Sequence, residues 1–528
     1  MGQDEAAPWW KGAVIYQIYP RSFRDSNGDG IGDLRGIAES LGHVAALGVD
    51  AVWLCPVYAS PGADFGYDVS DHTAVAPEYG SLADLEALIA ACNGRGLRVL
   101  LDFIIGHTSE VHPWFLASRA ARNGPLADRY VWADPQPDGS PPNNWLSVFG
   151  GPAWRWEPRR RQYALHHFLP QQPALNLAHP ATMDAMAEVM RFWLSRGADG
   201  FRVDALDFVA HDREMRSNPS AGLKEVPGKL FGMQRHLHDM MGEGTDAVLG
   251  RLRSETDAFG DRALLGEFSS QPGAFARIAR ATGPGRLHMA YTLAPLRAGF
   301  GIEAARALIE AASLSEGWPC WSFSNHDVVR AATRWAPDGG PDPRMTRLLL
   351  TLLLTLRGSV CIYQGEELGL PDAELPFEAL RDPFGISFWP DFRGRDGART
   401  PMPWRRETPH GGFTDAEPWL PVPDAHRDLA VDVQERQADS VLHFTRALLA
   451  LRRATPALVT GDLLPLDLPA PLIGYDRVAG SSRMRCVFNL SAKRASLPKS
   501  LSEVAPSLPE TLPPWGVALG GDAAFPSR

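Results

Sequence analysis

Short apolar segments alternate along this chain with longer segments in which apolar and polar positions are mixed. Short runs that are apolar on both faces, typical of strands in a parallel sheet, are each followed by a longer stretch with helical spacing. Eight strands are predicted in this way, at residues 14–19, 51–54, 98–104, 200–204, 263–268, 288–292, 319–324 and 359–363. The predicted helices include residues 37–47, 82–95, 181–196 and 345–356.

The alternation of strands and helices predicts an α/β fold with a parallel sheet. Eight strand and helix units are the number that closes a (β/α)8 barrel, the TIM barrel. One helix start is marked in the sequence itself. Ser81 precedes the second predicted helix, and Asp84 and Glu86 supply acidic side chains in its first turn.

Two long segments interrupt this rhythm. Residues 108–178 are rich in Pro, Trp, Arg and Asn, and residues 364–422 are polar and rich in Gly and Pro. Both are too long for ordinary barrel loops, so the first is predicted to be an inserted subdomain and the pair to wall a deep pocket. From about residue 451 the pattern changes to short strands, at 472–475 and 484–489. The predicted domains are the barrel (1–107 and 179–450), the inserted subdomain (108–178) and a small C-terminal β domain (451–528).

Composition narrows the function classes. The chain has 528 residues, 52 basic against 62 acidic, and a net charge of −10, which would repel a nucleic-acid backbone. No apolar run reaches the roughly 18 residues of a membrane span. An odd number of scattered cysteines, five, favours buried thiols over disulfides, and the start of the chain lacks a signal-peptide pattern. A soluble protein in the cytoplasm is predicted, without nucleic-acid or membrane partners.

Candidate chemistry lies at the predicted strand ends. In a (β/α)8 barrel, polar groups at the carboxyl ends of the strands point into the active-site mouth. These positions carry four carboxylates, two histidines and one arginine: Asp102, His107, Arg202, Asp204, Glu267, His326 and Asp327.

Two of these carboxylates are expected to behave differently. Arg202 and Asp204 are two residues apart on one strand and face the same side, so the cation should keep Asp204 ionised, as a nucleophile requires. Glu267 has apolar sequence neighbours, which favour the protonated form that a general acid requires. Such a pair suits glycoside hydrolysis. The alternative is that these residues form structural ion pairs at the barrel rim.

Several ordered motifs carry a family resemblance. They are residues 16–23 (YQIYPRSF), 66–71 (GYDVSD), Asp102 with His107, 200–204 (GFRVD), Gly266 with Glu267, 325–327 (NHD) and 399–404 (RTPMPW). With these motifs the chain resembles the family 13 glycoside hydrolases, the α-amylase clan, and within it the oligo-1,6-glucosidase and α-glucosidase group. The resemblance extends from about residue 9 to residue 489.

The resemblance implies roles for individual residues. It implies that Asp204 is the nucleophile, Glu267 the acid/base, and Asp327 a third carboxylate that grips the sugar hydroxyls in the transition state. Phe149 resembles an aromatic wall contributed by the inserted subdomain. The implied pocket for a terminal glucose comprises Asp64, Tyr67, His107, Arg202, His326 and Arg399.

Three departures from the family pattern affect these expectations. Gly106 replaces the Asn that binds calcium in typical α-amylases, so no metal is expected between barrel and subdomain. Ala174 stands where the group commonly has Asp, which weakens the subfamily assignment. Phe268, Ser269 and Ser270 follow the acid/base residue and leave the acceptor preference open, because Phe268 could fill acceptor space.

A metal loop is predicted elsewhere. Residues 25–33 (DSNGDGIGD) have oxygen donors at alternate positions and Gly at the sixth, the first half of a calcium-loop pattern without its distal Glu. The resemblance implies a structural Ca²⁺ or Mg²⁺ held by Asp25, Asn27, Asp29, the Ile31 carbonyl and Asp33. The alternative is a turn without metal. No organic cofactor is expected.

The combined prediction is a retaining, exo-acting α-glucosidase that releases terminal glucose from short oligosaccharides or α-glucosides. Ala205, after the nucleophile, favours α-1,4 over α-1,6 linkages, because the resembling group carries Val there when it cleaves α-1,6 bonds. A transglucosylase, a sucrose-cleaving relative and a catalytically inactive homologue of transporter subunits remain alternatives. The protein is expected to be a monomer or a homodimer.

Overall fold

Eight parallel strands form the centre of the protein. The computed structural model describes residues 7–297, 299–314, 316–338, 340–499, 501 and 508–521. The barrel strands, numbered β1 to β8 in chain order, are Val14–Ile18, Ala51–Leu54, Arg98–Phe103, Gly200–Val203, Ala263–Phe268, Met289–Thr292, Cys320–Ser322 and Ser359–Tyr363.

The strands pair in the order β6, β5, β4, β3, β2, β1, β8, β7. A parallel bridge between Ala290 and Pro319 joins the two ends of this sheet, so that β6 and β7 close the circle. The predicted (β/α)8 barrel is confirmed, and each predicted strand overlaps an observed one.

Side-chain alternation along the strands separates two apolar cores. Residues such as Ile15, Trp53, Leu100 and Leu265 point inward and fill the barrel. Their neighbours in sequence point outward and pack against the surrounding helices. Inward-facing side chains at the carboxyl ends of the strands therefore border the mouth of the barrel.

One main helix follows each strand. The helices α1 to α8 are Leu34–Leu47, Leu82–Asn93, Pro180–Leu194, Thr245–Asp257, Ala274–Ala281, Ile302–Leu314, Pro343–Thr355 and Val441–Ala454. The Ser81 cap of α2 is confirmed, because its side chain and that of Asp84 bond reciprocally to the backbone. Helix α1 begins three residues before the predicted start, since Asp33 caps it through the amide of Gly36.

Shorter helices lie in the loops. The α-helical ones are Pro113–Ala120, Ala294–Arg297, Ala331–Arg334, Pro383–Phe388, Asp396–Arg399, Asp424–Arg427, Val431–Glu435 and Pro456–Thr460. The 3-10 turns are Pro20–Ser22, Ala127–Arg129, Leu206–Phe208, Leu230–Met233, Glu366–Leu368, Phe377–Ala379 and Pro409–Gly412.

The long segment after β3 folds over the barrel mouth. It contains a three-stranded antiparallel sheet whose middle strand is the last in sequence. The strands are Trp132–Ala133, Trp154–Glu157 and Gln162–Leu165. A two-stranded hairpin, Tyr58–Ala59 with Asp71–Val75, lies between β2 and α2.

The C-terminal part forms a separate antiparallel sheet. Its four strands pair in sequence order and are Asp462–Pro465, Leu472–Ala479, Ser482–Asn489 and Val517–Gly521. A smaller pair joins Ala495–Ser496 to Thr511–Leu512. The predicted boundary at residue 451 falls within α8, because the buried Arg452 continues that helix and binds the carbonyls of Leu354, Gly12 and Gly358.

Candidate active site

A cavity of about 360 Å³ opens at the carboxyl ends of the barrel strands, below the inserted segment and the segment after β8. The predicted site residues divide into two groups around it. Arg202, His326 and Arg399 lie outside the lining and contact carboxylates that line it. The predicted residues that line the cavity are Asp64, Tyr67, His107, Phe149, Asp204, Ala205, Glu267 and Asp327.

One fully buried guanidinium, that of Arg202 on β4, binds three carboxylates. Its Nη1 atom lies 2.8 Å from Asp102 and 2.7 Å from Asp204, and its Nη2 atom lies 2.6 Å from Glu267. The hydroxyl of Tyr291 on β6 accepts from Nε and Nη2 of the same guanidinium at 3.1 and 2.8 Å. Arg202 thus draws the two carboxylates expected to carry out catalysis toward one point.

The apolar sequence neighbours of Glu267 do not all surround its carboxyl. Its sequence neighbours Leu264 and Phe268 point outward into the helix layer, because adjacent residues on a strand face opposite sides. Glu267 itself points inward, where it meets Arg202 and the Tyr291 hydroxyl, 2.9 Å from its Oε1 atom. Phe268 is therefore also not positioned to fill acceptor space.

Burial and crowding set the protonation of the other two carboxylates on Arg202. Burial raises the pKa of Asp102 to about 6, although the ion pair with Arg202 opposes this shift. Burial also raises the pKa of Asp204 well above its ordinary value, and Glu267 and Asp102 act in the same direction. The predicted ion pair with Arg202 is present and lowers the pKa of Asp204, but burial outweighs it.

Asp327, after β7, has the opposite balance. Its Oδ1 atom lies 2.8 Å from Arg399 and 3.2 Å from Arg395, and His326 lies beside it. Burial acts to raise the pKa of Asp327, but these neighbours outweigh it and hold the pKa well below its usual range. The carboxylate therefore stays ionised in the cavity.

Arg395 is a second buried cation that the sequence predictions missed. Its Nη2 atom lies 2.7 Å from Asp64 and 2.8 Å from Asp382, and its Nη1 atom reaches Asp327. Arg399 binds Asp327 and the carbonyl of His326. The available signal was that Arg395 lies four residues before Arg399, the first residue of the motif at 399–404.

A directed chain of hydrogen bonds crosses the floor of the site. The Gln17 amide donates to Nδ1 of His326, so the neutral ring carries its hydrogen on Nε2 and donates to the Tyr67 hydroxyl at 2.6 Å. Tyr67 then donates to Asp102 at 3.1 Å. Burial lowers the pKa of His326 to about 3, which keeps this ring neutral at pH 7.

His107 and Gln172 complete the polar side of the cavity. His107 donates from Nε2 to the carbonyl of Tyr67 at 3.0 Å, and burial lowers its pKa to about 4. Gln172 donates to Asp64 at 3.2 Å and lines the cavity. Gln172 stands two residues before Ala174, and the sequence predictions gave it no role.

Aromatic rings form the opposite wall. Phe149 from the inserted segment packs on Phe384 from the segment after β8, with ring centroids 4.5 Å apart, and Arg395 lies over the Phe149 ring. Phe168 and Phe208 also line the cavity and contact each other edge to face. The two long segments thus meet across the cavity, as their lengths predicted.

Ala205, directly after Asp204, has a left-handed backbone conformation with φ 45° and ψ 48°. This conformation aims its amide at Glu267, whose Oε2 atom lies 3.2 Å away. Left-handed geometry is costly for a β-branched residue. The hydrogen bond from the Ala205 amide joins the end of β4 to the acid/base candidate on β5.

The loop predicted to bind a divalent cation is folded around its own backbone. Asp25 accepts from three amides of the loop, and Asp33 accepts from Ser26 and Gly36. Among the described residues, no group of three or more His, Cys, Asp or Glu side chains is arranged to hold a metal. A Ca²⁺ or Mg²⁺ ion held by this loop therefore stays a prediction. The donors in question are Asp25, Asn27, Asp29, the Ile31 carbonyl and Asp33.

Comparison with known proteins decides the family. A family model described as the catalytic domain of α-amylase matches residues 17–461. The chain belongs to the α-amylase family. The resemblance drawn from the strand-end motifs is thereby confirmed, and the protein is a glycoside hydrolase.

Similar proteins within the family are named as glucosidases or as a glucosyl transfer enzyme. A probable α-glucosidase of Rhizobium meliloti (strain 1021) is 48% identical over 94% of this chain and 92% of its own length. An oligo-1,6-glucosidase of Parageobacillus thermoglucosidasius is 34% identical over 92% and 91%. The solved structure of an α-glucosyl transfer enzyme matches with TM-score 0.92 and 46% identity, covering 98% of this chain and 99% of the other.

Two further sequence expectations can be compared with the structure. All five cysteines are buried and free, as expected of reduced thiols. In the described ranges, no helix is both long enough and apolar enough to cross a membrane.

We expect Arg395→Gln to lower kcat/KM on a short α-glucoside by about 100-fold or more, because three carboxylates lose their shared charged donor. Arg393→Gln is the matched control, since the side chain of Arg393 is 62% exposed. Steady-state kinetics on both variants, with thermal melting to verify folding, would measure the effect. Near wild-type kcat/KM in a folded Arg395→Gln enzyme would contradict this role.

Proposed function

We propose that the protein is a retaining, exo-acting α-glucosidase that releases terminal glucose from short α-glucosides. The carrying observation is that Asp204 and Glu267 contact adjacent nitrogens of one buried guanidinium at the cavity floor. This arrangement favours the short carboxyl spacing of roughly 5 to 5.5 Å that direct attack on the sugar requires. Inverting enzymes need a wider gap for water.

The proposed reaction has two steps. In the first, a carboxylate oxygen of Asp204 attacks the anomeric carbon while Glu267 gives its proton to the departing glycosidic oxygen. In the second, Glu267 takes a proton from water, whose oxygen bonds to the anomeric carbon as the bond to Asp204 breaks. Two inversions preserve the anomer. The ion pair with Arg202 lowers the pKa of Asp204 and so opposes the effect of burial on this carboxylate.

The third carboxylate is proposed to hold the sugar rather than to react. Asp327 is ionised and fixed by Arg399 and Arg395, so its oxygens can accept hydrogen bonds from glucose hydroxyls. Asp64 is held by Arg395 in the same way. Such acceptors bind most strongly when the ring distorts and positive charge develops at the anomeric carbon.

We expect Asp204→Asn to lower kcat on an aryl α-glucoside by on the order of 10³-fold or more, because the amide cannot form the glycosyl ester. Asp246→Asn, which changes an exposed ion pair on α4, should retain activity. Proton NMR of the first product should show the α anomer in the wild type. A β anomer, or near wild-type turnover in a folded Asp204→Asn enzyme, would argue against the proposal.

The closed end of the cavity supports exo action. Asp64, Arg395 and Asp382 form an ion cluster at one end, and the Phe149 and Phe384 rings meet beside it. We propose that these contacts block a polymer from continuing past the bound sugar. The pocket therefore fits a chain end.

We expect the rate of bond cleavage on maltose to exceed that on soluble starch by about tenfold or more at equal bond concentration, because a polymer supplies few ends. Release of reducing sugar, with chromatography of the products, would measure this. Glucose should be the only early hydrolysis product from maltotriose besides maltose. Comparable rates on starch and maltose would count against exo action.

Transglucosylation is a second candidate function, in which a sugar or another alcohol replaces water in the second step. The high similarity to an α-glucosyl transfer enzyme favours it, and Phe208, Phe231 and Leu293 give the cavity near Glu267 an apolar lining. An apolar lining favours the approach of a sugar or another alcohol, which has apolar carbon surface, over the approach of water. Chromatography at high maltose concentration would separate the two functions, since longer saccharides indicate transfer and glucose alone indicates hydrolysis.

The linkage preference is proposed to depend on Ala205. Its small side chain lies beside Asp204 and lines the cavity, which leaves room for a leaving glucose bonded through its secondary 4-hydroxyl. A Val side chain would narrow this space and would also add backbone strain at φ 45°. We therefore propose that α-1,4 linkages are preferred over α-1,6.

We expect Ala205→Val to lower the ratio of kcat/KM for maltose to that for isomaltose by roughly 10-fold or more. One or two methyl groups in a substrate pocket typically change the relative kcat/KM of two substrates by about this factor. Ala205→Gly, which tolerates the left-handed backbone, should keep the wild-type preference. Kinetics on both sugars would test this, and melting temperatures would separate strain from specificity. A wild type that favours isomaltose, or an unchanged ratio in Ala205→Val, would refute the argument.

A further inference from the structure

Tyr291 contacts both the central arginine and the acid/base candidate. It lies on β6, next to β5, and its side chain is almost completely buried inside the barrel. Its hydroxyl oxygen lies 3.1 Å from Nε and 2.8 Å from Nη2 of Arg202, and 2.9 Å from Oε1 of Glu267. None of the family motifs found in the sequence includes this residue.

The chemistry of the three groups fixes the direction of these hydrogen bonds. A guanidinium can only donate, so the Tyr291 hydroxyl accepts twice from Arg202 and both of its lone pairs are used. Its single hydrogen is left for Glu267. Burial raises the pKa of Tyr291 well above its ordinary value, so the hydroxyl keeps that hydrogen across the working pH range.

The two oxygens of Glu267 accept from different donors. Oε1 accepts from the Tyr291 hydroxyl, whereas Oε2 accepts from Nη2 of Arg202 at 2.6 Å and from the Ala205 amide at 3.2 Å. The hydrogen bond from Tyr291 stabilises the ionised carboxylate, because a hydrogen bond to a charged acceptor is stronger than one to a neutral carboxyl.

We propose that Tyr291 is a positioning residue that holds Oε1 of Glu267 and stabilises the ionised form of that carboxyl. The inference rests on the proposed acid/base function of Glu267. In the first step this stabilisation favours transfer of the proton from Glu267 to a poor leaving group. In the second step the same hydroxyl holds the carboxylate in place while the carboxylate receives the proton of water.

A purely structural function would give different consequences. The Tyr291 ring packs inside the barrel near Trp53, with ring centroids 6.0 Å apart. Phe would keep this ring contact and remove only the hydroxyl. A packing function therefore predicts no dependence on pH or on the leaving group in Tyr291→Phe.

The test compares Tyr291→Phe with the wild type over a range of pH and on two substrates. Without the hydroxyl, Glu267 should stay protonated to higher pH, so the alkaline limb of kcat/KM should move up by about one pH unit. At the wild-type optimum, kcat/KM on maltose should fall by about tenfold, the scale of one hydrogen bond to a charged group. The fall on 4-nitrophenyl α-glucoside should be at most a few-fold, since that leaving group needs little protonation.

Two further variants sharpen the result. Tyr291→Gln offers a carbonyl for Arg202 and an amide donor for Glu267, so its alkaline limb should return toward that of the wild type. Tyr475→Phe is the matched control, because it removes another buried hydroxyl, 2.6 Å from that of Thr355 on α7, and should leave the limb unmoved.

The outcomes separate this inference from the proposed function. An unmoved or lowered alkaline limb in folded Tyr291→Phe, or equal losses on both substrates, would overturn the positioning role. The variant Glu267→Gln tests the acid/base assignment separately. If Glu267→Gln kept wild-type activity on maltose, the acid/base assignment itself would fail, whatever Tyr291→Phe showed.

Discussion

The buried guanidinium of Arg202 is the constraint on which the site depends. Three carboxylates and a phenol from four barrel strands converge on it, and without a cation these acids could not share one water-poor space. Because the groups lie on hydrogen-bonded neighbouring strands, the barrel fixes their mutual positions without help from flexible loops. The reaction proposed for the protein uses the two carboxylates that border the cavity.

A second buried cation, Arg395, also binds three carboxylates. Arg395 joins Asp64 on the β2 side to Asp382 and Asp327, so residues from distant parts of the sequence meet at one charge. The rings of Phe149 and Phe384 bring the inserted segment to the segment after β8 at the same place. One guanidinium thus holds the proposed catalytic carboxylates, and the other holds the carboxylates proposed to bind the sugar.

Part of this site could be predicted from the sequence, because polar side chains at the carboxyl ends of barrel strands face the mouth of the barrel. Polar residues at the ends of predicted barrel strands, such as Asp204 and Asp327, were expected to converge, and they border one cavity. The same rule was misapplied to Glu267. Its neighbours Leu264 and Phe268 point away from it, whereas Arg202 and Tyr291 come from the strands on either side.

The sequence by itself predicted the barrel and the residues at its strand ends, and it marked the segments that depart from the barrel pattern. These features follow from local periodicity, which each segment carries independently of the others. Only the tertiary structure decided that Arg395 and not Arg399 pairs with Asp64, and that Ala205 has a left-handed backbone. It also decided that Tyr291 donates to Glu267. Pairings across long loops and between strands depend on how the whole chain packs, and no spacing in the sequence encodes them.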